Sequence, residues 1–321
     1  MSDLSLPYGQ RPAGRGLDWA DEVYNEHHTQ IILKPGPVAG YTLGDMTTTY
    51  THVVGGERIT AAPPSCDCPS FRAWFIGGSA AFGVGQRDDH TIASDLVGLA
   101  AQDGVSLTVE NMGTPGWTLW QEYQGILAKL ARGEAPPDLI IFYDGFNDMA
   151  QSFMQQVTHR GDFDAPVVFD GAALEALGSF SEKDVSAAEA AIGDPGAFGK
   201  KAATRYARLR GVIAKLLEGQ GIATHFFFQP DALTATVQRG KPIPSFMFPS
   251  VDPGVTAGLV KSLEAASQTL PDPSDNLRHL FDADGVNVFF DLSHMNEAAA
   301  RRAAAAAYAQ LKPQIVAGAT R

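Results

Sequence analysis

The sequence predicts a three-layer α/β/α domain built on a mainly parallel sheet, and two observations lead to this prediction. Short apolar runs alternate along the chain with stretches of helical periodicity, which is the pattern of repeated β-α-β units. The runs are continuously apolar, as strands are when helices cover both faces of their sheet. The pattern begins near Arg72 and extends towards the C-terminus of the 321-residue chain.

Four apolar runs are the predicted strands of this sheet. They occupy residues 73–76, 105–111, 139–143 and 222–228. Each run has the length of a strand, and glycines, prolines or polar residues bound it.

Four helices are predicted between and after these strands. Apolar residues at helical spacing place them at residues 91–101, 117–130, 206–216 and 296–311. Asn296 is a suitable N-cap for the last helix, and Pro313 lies just beyond its predicted end.

The α/β pattern divides the chain into an extension and a domain. Residues 1–70 contain short β-like runs among glycines and prolines and are predicted to form an N-terminal β-rich extension. Residues 71–321 form the predicted domain. Two long connections, at about 150–200 and 230–256, interrupt it, and connections of this length are usually functional loops or small subdomains.

The composition limits the classes of partner. With 24 basic and 36 acidic residues the net charge is −12, which disfavours nucleic acid and anionic surfaces. No segment approaches the roughly 20 apolar residues that span a bilayer. The N-terminus has no apolar core of a signal peptide, so the expected location is the cytoplasm.

The only two cysteines, Cys66 and Cys68, are separated by one residue. A disulfide between such close neighbours is rare, so we predict two free thiols. A metal site that also uses His27 and His28 is a less favoured alternative. We therefore predict neither a metal nor a cofactor.

Four polar segments contain the candidate catalytic groups, and three of them directly follow predicted strands. They are Gly77-Gly78-Ser79, residues 111–116, Gly145-Phe146-Asn147-Asp148 and residues 291–294. Ligands of open α/β sheets bind beyond the carboxyl ends of the strands, where these segments meet.

Each of these side chains also has an ordinary structural interpretation. Taken alone, Ser79 is a common type of helix N-cap, Asn147 is a turn residue, and His294 is a hydrogen-bonded structural histidine. Their order and their placement after strands favour chemistry, because a serine hydroxyl, an imidazole and a carboxylate together form a nucleophile, a base and its orienting group.

The four segments resemble, in the same order, the motif blocks of the SGNH hydrolase superfamily, the GDSL-type esterases and lipases. The similarity covers residues 72 to about 311. It implies a flavodoxin-like fold with a five-stranded sheet. It also implies a catalytic triad of Ser79, His294 and Asp291, with the oxyanion hole formed by the N–H groups of Ser79 and Gly116 and the side chain of Asn147.

One position departs from the family pattern, because Gly78 stands where the family usually has aspartate. The resemblance implies a serine esterase that hydrolyses a small or medium acyl ester. Apolar residues near the motifs are candidates for the substrate pocket: Trp117, Phe146, Met149 and Phe246.

Three alternatives remain open at this point. An acyltransferase or a carbohydrate O-deacetylase would use the same site with another acceptor or ester. A non-catalytic binding protein would keep the fold without the chemistry. A standard α/β-hydrolase has the same order of triad residues. Its Gly-x-Ser-x-Gly motif is not matched here, because Ala81 stands where the second glycine is required.

Overall fold

A sheet of seven strands lies at the centre of the computed structural model, which describes residues 7–36, 39–157, 167–168, 186–187, 190–237 and 253–319. In chain order the strands are β1 (Leu33–Pro35), β2 (Tyr41–Leu43), β3 (Met46–Thr47), β4 (His52–Val54), β5 (Glu57–Arg58), β6 (Ser70–Gly77), β7 (Ser106–Asn111), β8 (Leu139–Asp144) and β9 (Ala223–Phe228). The last four agree closely with the strands predicted from the sequence. Strands β1 and β2 pair separately as a hairpin.

The sheet is mixed, with the order β3-β4-β5-β7-β6-β8-β9. Strands β7, β6, β8 and β9 are parallel, and β3, β4 and β5 add to the β7 edge in antiparallel fashion. The expected count of five strands is therefore wrong. Within the described part of the chain, a single parallel bridge between Phe228 and Asn276 lies beyond β9, and 3₁₀ turns flank Asn276 on both sides.

The helices are α1 (Ala20–Thr29), α2 (Ser79–Phe82), α3 (Ile92–Gln102), α4 (Leu119–Ala131), α5 (Phe146–Val157), α6 (Pro195–Glu218), α7 (Ala232–Val237), α8 (Pro253–Ser267) and α9 (Glu297–Gly318). Among the described residues, no helix combines the length and the apolar composition that a membrane crossing requires.

Alternating side chains of the strands build a separate core on each face of the sheet. Trp74 and Ile76 of β6 pack with α4, α5, α6 and α8, whereas Ala73 and Phe75 pack with α3 and α9. Both sets are fully buried, as the continuous apolar runs predict. The parallel part of the sheet is thus the middle of three layers.

Helix α9 continues past its predicted end and contains Pro313. Proline removes one backbone donor from a helix, but it does not prevent continuation where packing supports the next turn. Ile315, two residues later, is fully buried in the same core as Leu311. Tertiary packing therefore extends this helix beyond the point at which the sequence predicts its end.

The N-terminal segment contains helix α1 as well as short strands, and its strands β3–β5 belong to the central sheet. Cys66 and Cys68 form a disulfide, so the prediction of free thiols is wrong. Their Cα atoms are 5.2 Å apart, within the usual range for a disulfide. The bend at residues 65–67 brings the two side chains together, which residue spacing alone does not reveal.

Candidate active site

Three loops that carry candidate groups leave the same edge of the sheet. Strand β6 lies between β7 and β8, and the three strands are parallel. The chain reverses its direction of winding between β6 and β8, and this is where open α/β sheets form a ligand crevice. Ser79 follows β6, Gly116 follows β7 and Asn147 follows β8.

Ser79 is the first residue of α2, immediately after the tight turn at Gly77 and Gly78. A Cβ atom on Gly77 would lie 2.2 Å from the carbonyl oxygen of Tyr143. A Cβ atom on Gly78 would lie 2.1 Å from Nδ2 of Asn147. The amide of Asn147 therefore occupies the space that a side chain at position 78 would need.

Asp291 and His294 lie in one turn before α9. The Oδ1 atom of Asp291 accepts hydrogen bonds from the backbone N–H groups of Ser293 (3.0 Å) and His294 (2.9 Å). Its Oδ2 atom lies 2.6 Å from Nδ1 of His294. Burial would raise the pKa of Asp291, but the charge of His294 and these hydrogen bonds outweigh it and lower the pKa to about 2.

The imidazole of His294 connects Asp291 to Ser79. Its Nε2 atom lies 2.6 Å from Oγ of Ser79, although the two residues are 215 positions apart in the chain. An ionised Asp291 accepts the proton on Nδ1, so Nε2 is left to accept the serine O–H. The three residues therefore form a continuous hydrogen-bonded chain that ends at the serine oxygen.

The loop after β7 is tied to the turn that carries Ser79. Asn111, fully buried at the end of β7, donates to the carbonyl of Ala81 (3.1 Å) and accepts from the N–H of Gly113 (2.9 Å). The N–H of Thr114 donates to the carbonyl of Gly77 (3.0 Å). Together these bonds hold the backbone that leads to Gly116 against α2.

Gly116 and Asn147 both line the cavity in front of Ser79. Gly116 has a φ of 86°, a conformation that favours glycine, and it lines the same cavity as Ser79. The side-chain amide of Asn147 donates one hydrogen to the carbonyl of Trp117 (2.8 Å). An amide nitrogen carries two hydrogens, so the second is available to a ligand oxygen.

The cavity in front of Ser79 has a volume of about 500 Å³. Phe146 lines it, as expected for a substrate-binding residue. Trp117 and Met149 are buried in the core and line other cavities, so the structure does not bring their side chains to this one. Phe246 lies outside the described residues.

Helix α1 and the residues that follow it form one wall of this cavity. The sequence did not predict that they contribute to it. The cavity is lined by Ser79, Asp291 and His294 together with His27, His28, Ile31 and Leu33. Neither periodicity nor motif spacing signals such a contact, since it joins segments about 260 residues apart. The imagined metal site with the cysteines is not formed, because His27 hydrogen-bonds Thr51 and the N–H of Gly85.

Beneath Asn147 lies a cluster of three fully buried carboxyl groups, formed by Glu122, Asp144 and Asp148. Burial raises the pKa of Asp144 to about 6. Burial and the neighbouring Asp144 raise the pKa of Asp148 to about 8. Asp148 accepts from the backbone N–H of Leu119 and Asp144 accepts from Tyr206, so the cluster ties α4, α5 and α6 together.

One group of carboxylates within the described residues has metal-ligand spacing, namely Glu57, Glu110 and Glu134. The ammonium group of Lys129 contacts all three, at 2.9 Å from Glu110 and 2.8 Å from Glu134. Arg72 pairs with Glu110 and Arg132 with Glu134, so cations of the protein itself balance the charge of this cluster.

Comparison with protein-family models finds no match, and comparison with curated proteins finds none. Solved structures do match. An acetyl xylan esterase, AlAXEase, shares 15% identity over 75% of this chain and 99% of that one, with a TM-score of 0.42. A member of the lipolytic protein G-D-S-L family from Veillonella parvula shares 14% over 74% and 96%, with a TM-score of 0.38.

A third matching structure is Axe2, an acetylxylan esterase from Geobacillus stearothermophilus. It shares 16% identity over 77% of this chain and 96% of that one, with a TM-score of 0.37. The matched proteins include members of the G-D-S-L family, which the four sequence segments resemble.

Proposed function

We propose that this chain is a serine esterase of the SGNH type that hydrolyses a small or medium acyl ester. The observation that carries the proposal is the hydrogen-bonded chain from Asp291 through His294 to Ser79, with 2.6 Å at each link. A non-catalytic binding protein would not need this alignment. Side chains of Ser79, His294 and Asp291 beyond hydrogen-bonding distance of one another would have favoured such a protein.

In the first half of the proposed reaction, Oγ of Ser79 attacks the ester carbonyl carbon. Its proton passes to Nε2 of His294, and the carboxylate of Asp291 stabilises the imidazolium that forms. Collapse of the tetrahedral intermediate breaks the bond to the alcohol oxygen, which takes the proton from His294. The products of this half are the free alcohol and an acyl-serine.

In the second half, water attacks the acyl-serine carbonyl and gives its proton to His294. The serine oxygen leaves, recovers that proton, and the carboxylic acid is released. In both halves negative charge develops on the carbonyl oxygen. The N–H groups of Ser79 and Gly116 and the amide of Asn147 are the proposed donors to that oxygen.

The test combines a fluorophosphonate probe with p-nitrophenyl acetate hydrolysis. The wild-type chain should be labelled once by the probe and should hydrolyse the ester. Ser79→Ala should lose both properties, because the serine oxygen is the atom that forms the acyl bond. Absence of labelling in the wild type, or full activity in Ser79→Ala, would contradict the proposal.

Ser274→Ala is the matched control. Ser274 lies in an exposed 3₁₀ turn and hydrogen-bonds only within that turn, to Asp272. This variant should be labelled and active like the wild type.

A further inference from the structure

The N-terminal segment places one histidine ring over the candidate active site. His28, near the end of α1, lines the cavity of Ser79 and is exposed to solvent there. The ring stacks on Tyr24, with centroids 3.5 Å apart, and Tyr24 in turn contacts the ring of Phe290. Phe290 precedes Asp291, so this aromatic series attaches the ring of His28 to the triad loop.

A hydrogen bond determines which ring nitrogen of His28 carries the proton and which can accept a hydrogen bond. Its Nδ1 atom lies 2.9 Å from the backbone carbonyl of Tyr24. A carbonyl only accepts, so Nδ1 carries the proton. In the neutral ring Nε2 is then an acceptor. Burial, together with the neighbouring His294, lowers the pKa of His28, which keeps the ring neutral at pH 7.

The contacts of His28 indicate which part of an ester substrate it would contact. The oxyanion donors Gly116 and Asn147 mark where the carbonyl oxygen would lie, and His294 marks where the alcohol leaves, since it protonates that oxygen. The ring of His28 is linked through Tyr24 and Phe290 to the Asp291–His294 loop. Its link is therefore to the loop that carries His294, the residue that marks the leaving-alcohol side of the cavity.

We propose that His28 is a specificity-determining residue whose Nε2 atom accepts a hydrogen bond from a free hydroxyl on the leaving alcohol. The preferred substrates are then esters of polyhydroxy alcohols, in which one hydroxyl is acylated and another remains free. The inference rests on the proposed esterase function. In its fixed tautomer His28 offers a hydrogen-bond acceptor at Nε2. A hydroxyl group can donate to this atom, whereas a simple alkyl group cannot.

The experiment compares two esters of similar size, 1-monoacetylglycerol and propyl acetate, by kcat/KM. Only the first has free hydroxyls. The wild type should prefer monoacetylglycerol by about tenfold, the factor that a neutral hydrogen bond of about 1.4 kcal/mol supplies. His28→Phe keeps the ring that stacks on Tyr24 but removes the acceptor. It should lose that preference, so that its kcat/KM values for the two esters become equal.

Thr29→Val is the matched control. Thr29 is the adjacent residue of α1, is exposed, and does not line the cavity. This variant should keep the wild-type ratio of the two kcat/KM values. Circular dichroism melting of both variants checks that they are folded.

The outcomes separate the inference from the function on which it rests. Ser79-dependent hydrolysis of both esters at equal kcat/KM by the wild type would overturn the role of His28 and leave the esterase proposal intact. This result needs no variant, so it holds even if His28→Phe fails to fold. A preference that His28→Phe retains would also overturn the inference. No Ser79-dependent hydrolysis of any ester would overturn both.

Discussion

Glycine at position 78 shows how a single missing side chain shapes this site. The amide of Asn147 fills the space beside Gly78 and donates to the carbonyl of Trp117, and Asn147 lines the cavity of Ser79. A glycine here therefore permits a close approach between the turn after β6 and the first turn of α5.

Gly78→Ala should displace Asn147 and lower kcat. The new Cβ atom would lie 2.1 Å from Nδ2 of Asn147, and this contact with a candidate oxyanion donor must move the amide away. Loss of one such donor costs about 10²–10³-fold in kcat. Steady-state kinetics with p-nitrophenyl acetate measure the effect.

Gly98→Ala is the control for this glycine substitution. Gly98 is in α3, and a Cβ atom there meets nothing within 4 Å. It should leave kcat unchanged and raise stability slightly, since alanine favours a helix over glycine. Wild-type kcat in Gly78→Ala would show that Asn147 does not act on the oxyanion.

Asp291→Asn should lower kcat about 10³–10⁴-fold with little change in KM. An asparagine amide can donate to Nδ1 of His294, which favours the tautomer whose Nε2 carries a proton and cannot accept from Ser79. The pKa of the wild-type carboxyl group is lowered to about 2, so it is ionised at neutral pH. Single-turnover acylation rates at several pH values measure the loss. A kcat within tenfold of the wild type would contradict the orienting role.

At the scale of elements, strand β5 supports the loop that follows Ser79. Arg58 of β5 is fully buried and pairs with Asp88 at 3.0 Å. Its guanidinium also donates to the carbonyls of Phe82 and Gly83, each at 2.8 Å, and to that of Gln86. A side chain of the N-terminal segment thus provides hydrogen-bond donors for the backbone carbonyls at the C-terminal end of α2.

Arg58→Ala should destabilise the fold by about 3–5 kcal/mol. The substitution leaves Asp88 without this partner and leaves buried carbonyls without a donor, both of which carry a desolvation penalty. Urea unfolding followed by circular dichroism measures the change in the free energy of unfolding.

Arg301→Ala is the comparison for this arginine. Arg301 is exposed and lies 3.5 Å from Asp95, so its loss should change stability by less than about 0.5 kcal/mol. Equal effects of the two substitutions would contradict the structural role of Arg58.

At the scale of the whole molecule, the buried cluster of Glu122, Asp144 and Asp148 makes stability depend on pH. The folded pKa of Asp148 is about 8 and that of Asp144 about 6, against an ordinary value of 3.8. A carboxyl group with a raised folded pKa stabilises the fold fully below its unfolded pKa. It loses this contribution as the pH rises through the folded pKa.

The free energy of unfolding should therefore fall as the pH rises from pH 4 to pH 8. Asp148→Asn keeps an acceptor for the N–H of Leu119 but removes the titration, so it should flatten this decrease. Urea titrations at intervals of one pH unit measure the slope. Asp45→Asn, at an exposed position, should keep the wild-type slope. A wild-type slope in Asp148→Asn would contradict the assignment.

The apolar periodicity of the sequence by itself determined the four parallel strands and four of the helices, and the motif resemblance indicated the candidate catalytic segments. These are local properties: a buried strand needs a continuous apolar run, and Asp291 and His294 meet within one turn because three residues separate them. The candidate triad is recognisable from the sequence because each member lies next to a predicted element.

Only the tertiary structure decided what surrounds the triad. Strands of two or three residues such as β3 carry no period, so the sequence did not predict that they extend the sheet. The contacts of Arg58 with the Ser79 loop and of His28 with the cavity join distant segments. Such contacts depend on how separate elements pack, and the spacing of residues along one element does not encode this.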